Sequence, residues 1–371
     1  MSGATRLRTA TKRFQISERQ LALLVFALGL GVDPFKLPSL LMRHFGARNA
    51  WWGEVPALGV ALWGVAVTIA LSRRFHGQPL NTTVLATLGP YLGYAYLGAL
   101  VALCLGRVAN VVLVFAPLAR LDLLPRLPLA FICVMVAAVG GYAAYSGIEP
   151  VARIAEVLAS LFAIGLAGIY LPLLFHGHIG HIVPLRLPPG SKWFSVPVLG
   201  AAGTIRGFIP LLFLGPVVTR PPTGGRFSIA IILAWLLVVA SILIPPVLFG
   251  PHLASQLRYP FLAATSTSSW RWLPVRNLVS LTLFTWYGIA LLVFATNLWM
   301  ATWLLGCMLP VPCRRIWVVV FAAGAGIAAS IPRSDGSLRP FFDALDIADL
   351  VFGVVAPTII WALGKQRNIR A

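Results

Sequence analysis

Long runs of apolar residues divide this sequence and restrict its possible folds more than any other feature. Each run provides the roughly 20 helical residues that are needed to cross the hydrocarbon core of a bilayer. Of the 371 residues, 59% are hydrophobic and only 11% are charged, whereas soluble proteins have about 25% charged residues. We therefore predict an all-α polytopic membrane protein that has no room for a folded soluble domain.

The runs predict ten membrane spans, and an even number of spans places both termini on one side. Lys and Arg are slightly more frequent in the loops and tails of that side, which predicts cytoplasmic termini. The predicted spans are residues 19–43, 51–72, 91–118, 127–146, 148–175, 193–217, 227–249, 275–306, 315–332 and 341–363. The predicted organisation is a basic cytoplasmic tail (1–18), a single ten-helix transmembrane domain (19–364, with repeats at about 19–175 and 193–364) and a cytoplasmic tail (365–371).

The formal net charge of +19 comes mainly from arginines. In a soluble protein such an excess suggests nucleic-acid binding, but here the basic residues lie between apolar runs, where they contact lipid headgroups. We therefore expect membrane lipid, and no nucleic acid, as a partner. The four cysteines are scattered and form neither a disulfide framework nor a metal-binding spacing.

Two spans contain residues that interrupt a helix. Residues 27–38 of span 1 include two glycines, two prolines, one acid and one base, and residues 198–210 of span 6 include three glycines and Arg206. Proline removes a backbone donor and glycine destabilises a helix, so both spans should unwind for a few residues. Unwound backbone at bilayer depth persists only where protein or a water-filled cavity satisfies it.

The two interrupted spans occupy corresponding positions, because each is the first of a set of five. Paired breaks of this kind indicate the midplane binding site of a transporter built from inverted repeats. The sequence therefore predicts five helices followed by five inverted helices. The alternative is a pair of ordinary proline-kinked helices.

Charged residues in these breaks are the main candidates for ligand binding. Asp33 either meets a cation or substrate ammonium, or forms a local ion pair with Lys36, and the half-helix that begins near Lys36 offers free N–H groups to a carboxylate. Arg206 either pairs with Asp33 across a cavity or holds a substrate carboxylate. The predicted ligand-binding residues are Gly29, Gly31, Asp33, Lys36, Gly203, Thr204, Arg206 and Gly207, with Asn110 and Thr285 from the walls formed by spans 3 and 8.

Span 5 carries Glu149, Arg153 and Glu156 at positions i, i+4 and i+7, which share one helical face. In such an acid–base–acid arrangement the central base can pair with both acids, so we predict a structural ion-pair clamp rather than a proton relay. In span 3, Arg107 and Asn110 either face a cavity or form a buried hydrogen-bonded pair.

Two further polar clusters, one of aspartates and one of histidines, can be explained either by a functional role or by a purely structural one. Asp343, Asp346 and Asp349 form a stripe at the start of span 10, which fits a cavity mouth or a favourable placement in the helix dipole. His176, His178 and His181 lie close together but have no acid or cysteine beside them, so we predict no metal site. The sequence contains no nucleophile–base arrangement, and we predict neither an enzyme nor a cofactor.

The string YSGIEPVARIAE at residues 145–156 resembles the SGIE-x-x-AR-x-x-E stretch of the spore germination permeases, the B subunits of germinant receptors. Other stretches are similar to this family in the same order along the chain. These are Ile16 to Gln20, Gly31-Val32 with Leu37-Pro38, residues 73–77, and Phe249-Gly250-Pro251 followed by Tyr259-Pro260.

This resemblance implies a LeuT-like fold of the amino acid–polyamine–organocation transporter superfamily, with broken helices 1 and 6. It also implies a small nutrient ligand, typically an amino acid, a place in the spore inner membrane, and partner A and C subunits. The chain departs from the family pattern at Asp33-Pro34 and at Ile209, so the charge of the site is rearranged and the ligand need not be the usual one. The alternative is a proton- or sodium-coupled amino acid transporter that acts alone.

Overall fold

The helices of the computed structural model follow the ten apolar runs. The structure describes residues 16–75, 78–175, 177–181, 183, 188–193, 195–203, 205–215, 223–267, 278–309, 314–331 and 335–366. Seven of its helices are long and apolar enough to cross a membrane, or eight if the bent pair in span 5 counts as one crossing. The chain is therefore an integral, multi-pass membrane protein.

The spans keep the numbers given above, with the letters a and b for the two halves of a broken span. They are 1a (Glu18–Leu30), 1b (Asp33–Phe45), 2 (Val55–Arg74), 3 (Leu80–Asp122), 4 (Leu129–Ser146), 5 (Ile148–Phe175), 6a (Val196–Ala202), 6b (Ile209–Leu214), 7 (Gly224–Phe249), 8 (Leu278–Met308), 9 (Arg314–Ser330) and 10 (Asp335–Leu350, continuing through Val351–Val355 and Ala356–Gln366). A 3₁₀ turn, Ala50–Glu54, precedes span 2, and two short helices, Pro251–Gln256 and Pro260–Thr267, follow span 7.

Span 1 begins with a capping box. The Ser17 hydroxyl accepts a hydrogen bond from the Gln20 backbone N–H at 3.2 Å, and the Gln20 side chain accepts one from the Ser17 N–H at 3.0 Å. Two of the N–H groups that lack a helical partner are satisfied in this way. The polar lead-in of the sequence therefore sets where the first membrane helix starts.

The predicted interruptions of spans 1 and 6 are both confirmed. Span 1a ends at Gly31, whose φ of 49° lies in the region that favours glycine. Span 1b then starts with Asp33-Pro34, where proline fits the first helical turn. Span 6a ends at Gly203, and the helix resumes at Ile209.

The glycines of the breaks allow backbones to approach one another closely. A Cβ atom on Gly207 would lie 2.1 Å from the Val25 carbonyl oxygen, and one on Gly203 would lie 2.0 Å from the Asp346 carbonyl oxygen. Only glycine avoids these overlaps. The unwound part of span 6 is therefore packed between span 1a and span 10.

Two spans differ from their predicted bounds. Span 3 starts at Leu80 rather than at residue 91, because a further stretch of helix precedes the turn at Gly89, where φ is 77°. Span 10 starts at Asp335 rather than at residue 341, and it contains a π-helical segment, Val351–Val355. Its longer first part places Asp346 and Asp349 well inside the helix rather than in its first turn.

Candidate functional site

Six charged side chains from spans 1b, 3, 6 and 10 form one ion-pair network beside the two breaks. Three are acidic and three are basic, so the formal charges of the network balance. The residues are Asp33, Lys36, Arg107, Arg206, Asp346 and Asp349. At least 96% of the side-chain surface of every member except Lys36 is buried. Buried charges require partners of this kind, because removing them from water is costly.

Arg107 connects span 3 to span 10. Its Nη2 atom lies 2.7 Å from Asp346 Oδ1 and also contacts Asp349 Oδ2. The two aspartates are three residues apart and therefore lie on one face of span 10. This single guanidinium thus holds a pair of like charges that would otherwise repel each other.

Arg206 connects the break of span 6 to the break of span 1. Its Nη2 atom lies 3.5 Å from Asp33 Oδ2, and its Nη1 atom lies 3.7 Å from Asp349 Oδ2. Gly31 leaves the necessary room, because a Cβ atom there would lie 3.2 Å from Arg206 Nη2. Of the two alternatives for Arg206, pairing with Asp33 is the arrangement in this conformation.

Lys36 joins the network to open space. Its Nζ atom lies 3.1 Å from Asp346 Oδ2 and 4.6 Å from the centre of the Phe342 ring. The side chain is 17% exposed, more than any other member of the network. It reaches a cavity of about 470 Å³, here called the vestibule, on the span 1b side of the network.

The vestibule carries an excess of positive charge. Lys36, Arg43, Arg258 and Arg339 line it, and Asp343 is the acidic residue among its lining side chains. Cavities lined by one sign of charge concentrate ligands of the opposite sign. The vestibule therefore favours ligands that carry a carboxylate or another anionic group.

Phe35 lies between the vestibule and the aromatic side chains of spans 3 and 8. Its ring lines the vestibule and packs edge-on against Trp286 at 5.6 Å and Phe115 at 5.7 Å between ring centres. Phe261, on the second short helix after span 7, lies 6.1 Å away. This cluster gives the site an apolar wall that the sequence analysis did not predict.

Several buried polar atoms of the site retain hydrogen-bonding capacity. Among the described residues, no hydrogen-bond partner reaches either carboxylate oxygen of Asp33, Asp349 Oδ1, Arg107 Nε or Nη1, or Asn110 Oδ1. Unsatisfied buried groups are costly and mark places where a polar ligand or water can bind. The ion pairs alone therefore leave the site incomplete.

The structure places the other candidate ligand-binding residues in different ways. Gly29 packs against Ala234 and the Gly207 backbone, where the Gly29 Cβ position would lie 3.2 Å from Ala234 Cβ. Thr285 lies against Gly165 of span 5, and its hydroxyl occupies the space that a side chain at Gly165 would need. Thr285 does not take part in the ion pairs of the network. Thr204 lies outside the described residues.

The predicted three-residue clamp of span 5 is wrong in one part. Arg153 pairs with Glu149, but Glu156 instead accepts a hydrogen bond from Gln20 Nε2 at 2.9 Å and lies 3.7 Å from Arg19 Nε. The start of span 1 lies beside Glu156 and supplies nearer partners than Arg153, whose side chain is 68% exposed. Glu156 therefore connects span 5 to span 1.

The histidine cluster contacts the end of span 7. His178 N–H donates to the Val247 carbonyl at 3.1 Å, and His181 Nδ1 lies 3.0 Å from the same oxygen. His176 lies outside the described residues. The two described histidines thus hold the loop after span 5 against span 7.

Sequence reasoning left Arg107, Asp346 and Asp349 out of the predicted site, although they form half of the network. The signal was present in the three-residue spacing of the aspartates and in the depth of Arg107 in span 3. It was not decisive, because an acidic stripe near a helix start is also explained by the helix dipole.

Comparison with known proteins gives the family and the fold. The family model described as "Spore germination protein" matches residues 15–333. The structure is similar to MhsT in complex with L-phenylalanine, at 15% identity and a TM-score of 0.64, over 95% of this chain and 89% of that chain. No curated protein sequence matches this chain.

A second similar structure is that of Mhp1, a nucleobase-cation-symport-1 family transporter in a closed conformation with bromovinylhydantoin bound. It is 14% identical, with a TM-score of 0.60 over 95% of this chain and 94% of that chain. At these identities the likeness shows the fold alone. The predicted LeuT-like fold, in which each set of five helices opens with a broken helix, is confirmed.

Proposed function

Because this chain belongs to the spore germination protein family, we propose that it is the nutrient-sensing, permease-like subunit of a spore germination receptor. It resides in the spore inner membrane with both termini in the cytoplasm. Its partners are the receptor's A and C subunits, to which ligand binding is signalled. The role is binding and signalling rather than catalysis.

The network at the two breaks is the observation that carries this proposal. It places acidic and basic groups with unused hydrogen-bonding capacity beside backbone that is already unwound. A small zwitterion fits this chemistry, since Asp33 accepts from an ammonium group while Lys36 and Arg206 bind a carboxylate. The positively charged vestibule provides the entry path.

To bind a ligand, the charged side chains of the network have to give up ion pairs with each other and form ion pairs with the ligand instead. In this conformation Lys36 is held by Asp346 and Arg206 lies beside Asp33. A ligand that competes for these groups stabilises a conformation in which the breaks are further apart. Only such a difference in affinity between two conformations converts binding into a signal.

Ligand-dependent thermal stabilisation of the purified protein tests this function. The protein is screened against amino acids, sugars and nucleosides, together with D33N, R206A and a control, E156Q, in which the changed residue lies outside the network. We expect at least one nutrient to raise the melting temperature of the wild type and of E156Q but not of D33N or R206A. A wild-type response in both site variants would contradict the proposed site.

A proton- or sodium-coupled amino acid transporter that acts alone is the second candidate function. It is kept because Mhp1, which shares the fold, is described as a nucleobase-cation-symport-1 family transporter. Uptake of a stabilising nutrient into liposomes that contain only this chain distinguishes the two functions. Concentrative uptake driven by a cation gradient supports the transporter, and binding without uptake supports the sensor.

A further inference from the structure

Glu54 is a buried acid that takes no part in the ion-pair network. It ends the 3₁₀ turn Ala50–Glu54 before span 2, and it is 0% exposed. Its backbone carbonyl accepts a hydrogen bond from Trp235 Nε1 at 2.7 Å. Among the described residues, no hydrogen-bond partner reaches either of its carboxylate oxygens.

Two acidic side chains of the ion-pair network act on this carboxyl group, and neither can serve as the partner of an ionised carboxylate. These are Asp33, on span 1b, and Asp346, on span 10, each of which is itself paired with basic residues of the network. Its turn also packs on spans 2, 6a and 7. Span 6a contributes no titratable side chain, and Arg226, the charged residue of span 7, lies in that helix's first turn and pairs with Glu18.

The remaining charges on the packed elements lie elsewhere. Those of span 2 are Arg73 and Arg74 in its last turn, about 20 residues from Glu54 along the helix. Those of span 1b are Lys36, which pairs with Asp346, and Arg43 and His44 in its last turn. Among the described residues, Glu54 is therefore influenced by two acids, and no cation forms an ion pair or hydrogen bond with its carboxyl group.

An ionised Glu54 would be unstable in this position. Burying a carboxylate without a partner costs several kcal/mol even after relaxation of the protein. The six charges of the network already balance, so a fourth carboxylate would make the region net negative. A bound proton removes both costs.

We propose that Glu54 is a proton-binding site, which holds a proton in this conformation, where it is fully buried, and releases it when the breaks of spans 1 and 6 open to water. The released proton passes to water and leaves one negative charge on the carboxylate, with no other bond changed. This inference rests on the proposed function in one respect, namely that the breaks open and close with the ligand. It adds the proton as a second, coupled ligand.

Infrared spectroscopy of the ligand-free protein in phosphatidylcholine vesicles tests the proton site. A protonated carboxyl group gives a C=O stretching band that an ionised carboxylate does not have. We expect this band at neutral pH in the wild type and in E156Q, whose changed side chain is 37% exposed in the wild type, and its loss in E54Q. In D₂O the band shifts as the proton exchanges, which reports opening of the site.

Isotope labelling gives a second measurement that needs no substitution. The chain has only four glutamates, and Glu18, Glu149 and Glu156 have basic or hydrogen-bonding partners in the structure. With the side-chain carboxyl of glutamate labelled with ¹³C, a band from Glu54 moves to lower frequency, whereas a band from an aspartate does not. A shifted band supports Glu54 even if E54Q fails to fold.

The results that overturn this inference are distinct from those that overturn the proposed function. The absence of a label-sensitive carboxylic acid band shows that Glu54 is ionised, as it would be if it bound Na⁺. A band of full intensity in folded E54Q has the same consequence. A failed nutrient screen leaves the infrared result unaffected, because that experiment uses no ligand.

Discussion

At the residue scale, the central interaction of this protein is one arginine shared by two aspartates. Arg107 is 1% exposed and lies between Asp346 and Asp349, and the second of these also faces Arg206. A buried pair contributes little net stability compared with apolar packing, but removing one partner leaves an uncompensated charge. The network therefore fixes the relative positions of spans 3, 6 and 10.

Replacing Arg107 tests this interpretation. We expect R107L to lose about 3–5 kcal/mol of unfolding free energy, because two carboxylates remain buried without their shared cation. The measurement is denaturant unfolding in detergent micelles. The control R153L breaks an ion pair in which Arg153 is largely exposed, so it should lose less than about 1 kcal/mol.

A second variant separates charge from packing at Arg107. R107L combined with D349N removes one of the two carboxylates that lose the Arg107 cation and should recover part of the lost stability. No recovery in the double variant would mean that packing of the guanidinium, rather than its charge, explains the loss.

At the scale of the elements, the two broken spans were predictable because their interruptions are local. Gly31 adopts a φ of 49° and Pro34 lies in the first turn of span 1b, and both properties belong to the residue types. What these glycines contact was not predictable. Gly203 and Gly207, which we predicted to be ligand-binding residues, lie against the carbonyl groups of Asp346 and Val25, respectively.

A glycine substitution checks the packing of the breaks. We expect G207A to lose at least about 2 kcal/mol of stability, because its Cβ would overlap a backbone oxygen that cannot move aside. The matched control is G59A in span 2, where a Cβ atom would have no neighbour within 4 Å. Equal stability of the two variants in thermal unfolding would contradict the close contact between spans 1a and 6.

At the scale of the whole molecule, the fold places a neutral network of charges beneath a positively charged vestibule. The network is closed to solvent except at Lys36, and Lys36 lines the vestibule. A ligand that enters by this route meets arginines before it meets the breaks. The vestibule is therefore expected to affect the rate of association more than the affinity.

Charge removal in the vestibule tests the entry path. The double variant R43Q/R258Q should bind anionic nutrients more slowly, by about tenfold at low salt, with a smaller difference at high salt. R48Q, which removes a charge from the same side but not from the vestibule lining, serves as the control. Stopped-flow fluorescence measures the rate, and an equal slowing in R48Q would show that general surface charge is responsible.

The sequence by itself determined that the chain is an all-helical, multi-pass membrane protein and where two of its crossings break. Both follow from short-range physics, since bilayer thickness sets the length of each apolar run and glycine and proline act on their own backbone. The tertiary structure decided which polar and charged side chains pair with each other. Arg107 and Asp349 are 242 positions apart, and Glu156 binds Gln20 rather than Arg153. Such pairings depend on how each helix is rotated against its neighbours, and packing of the whole bundle sets that rotation.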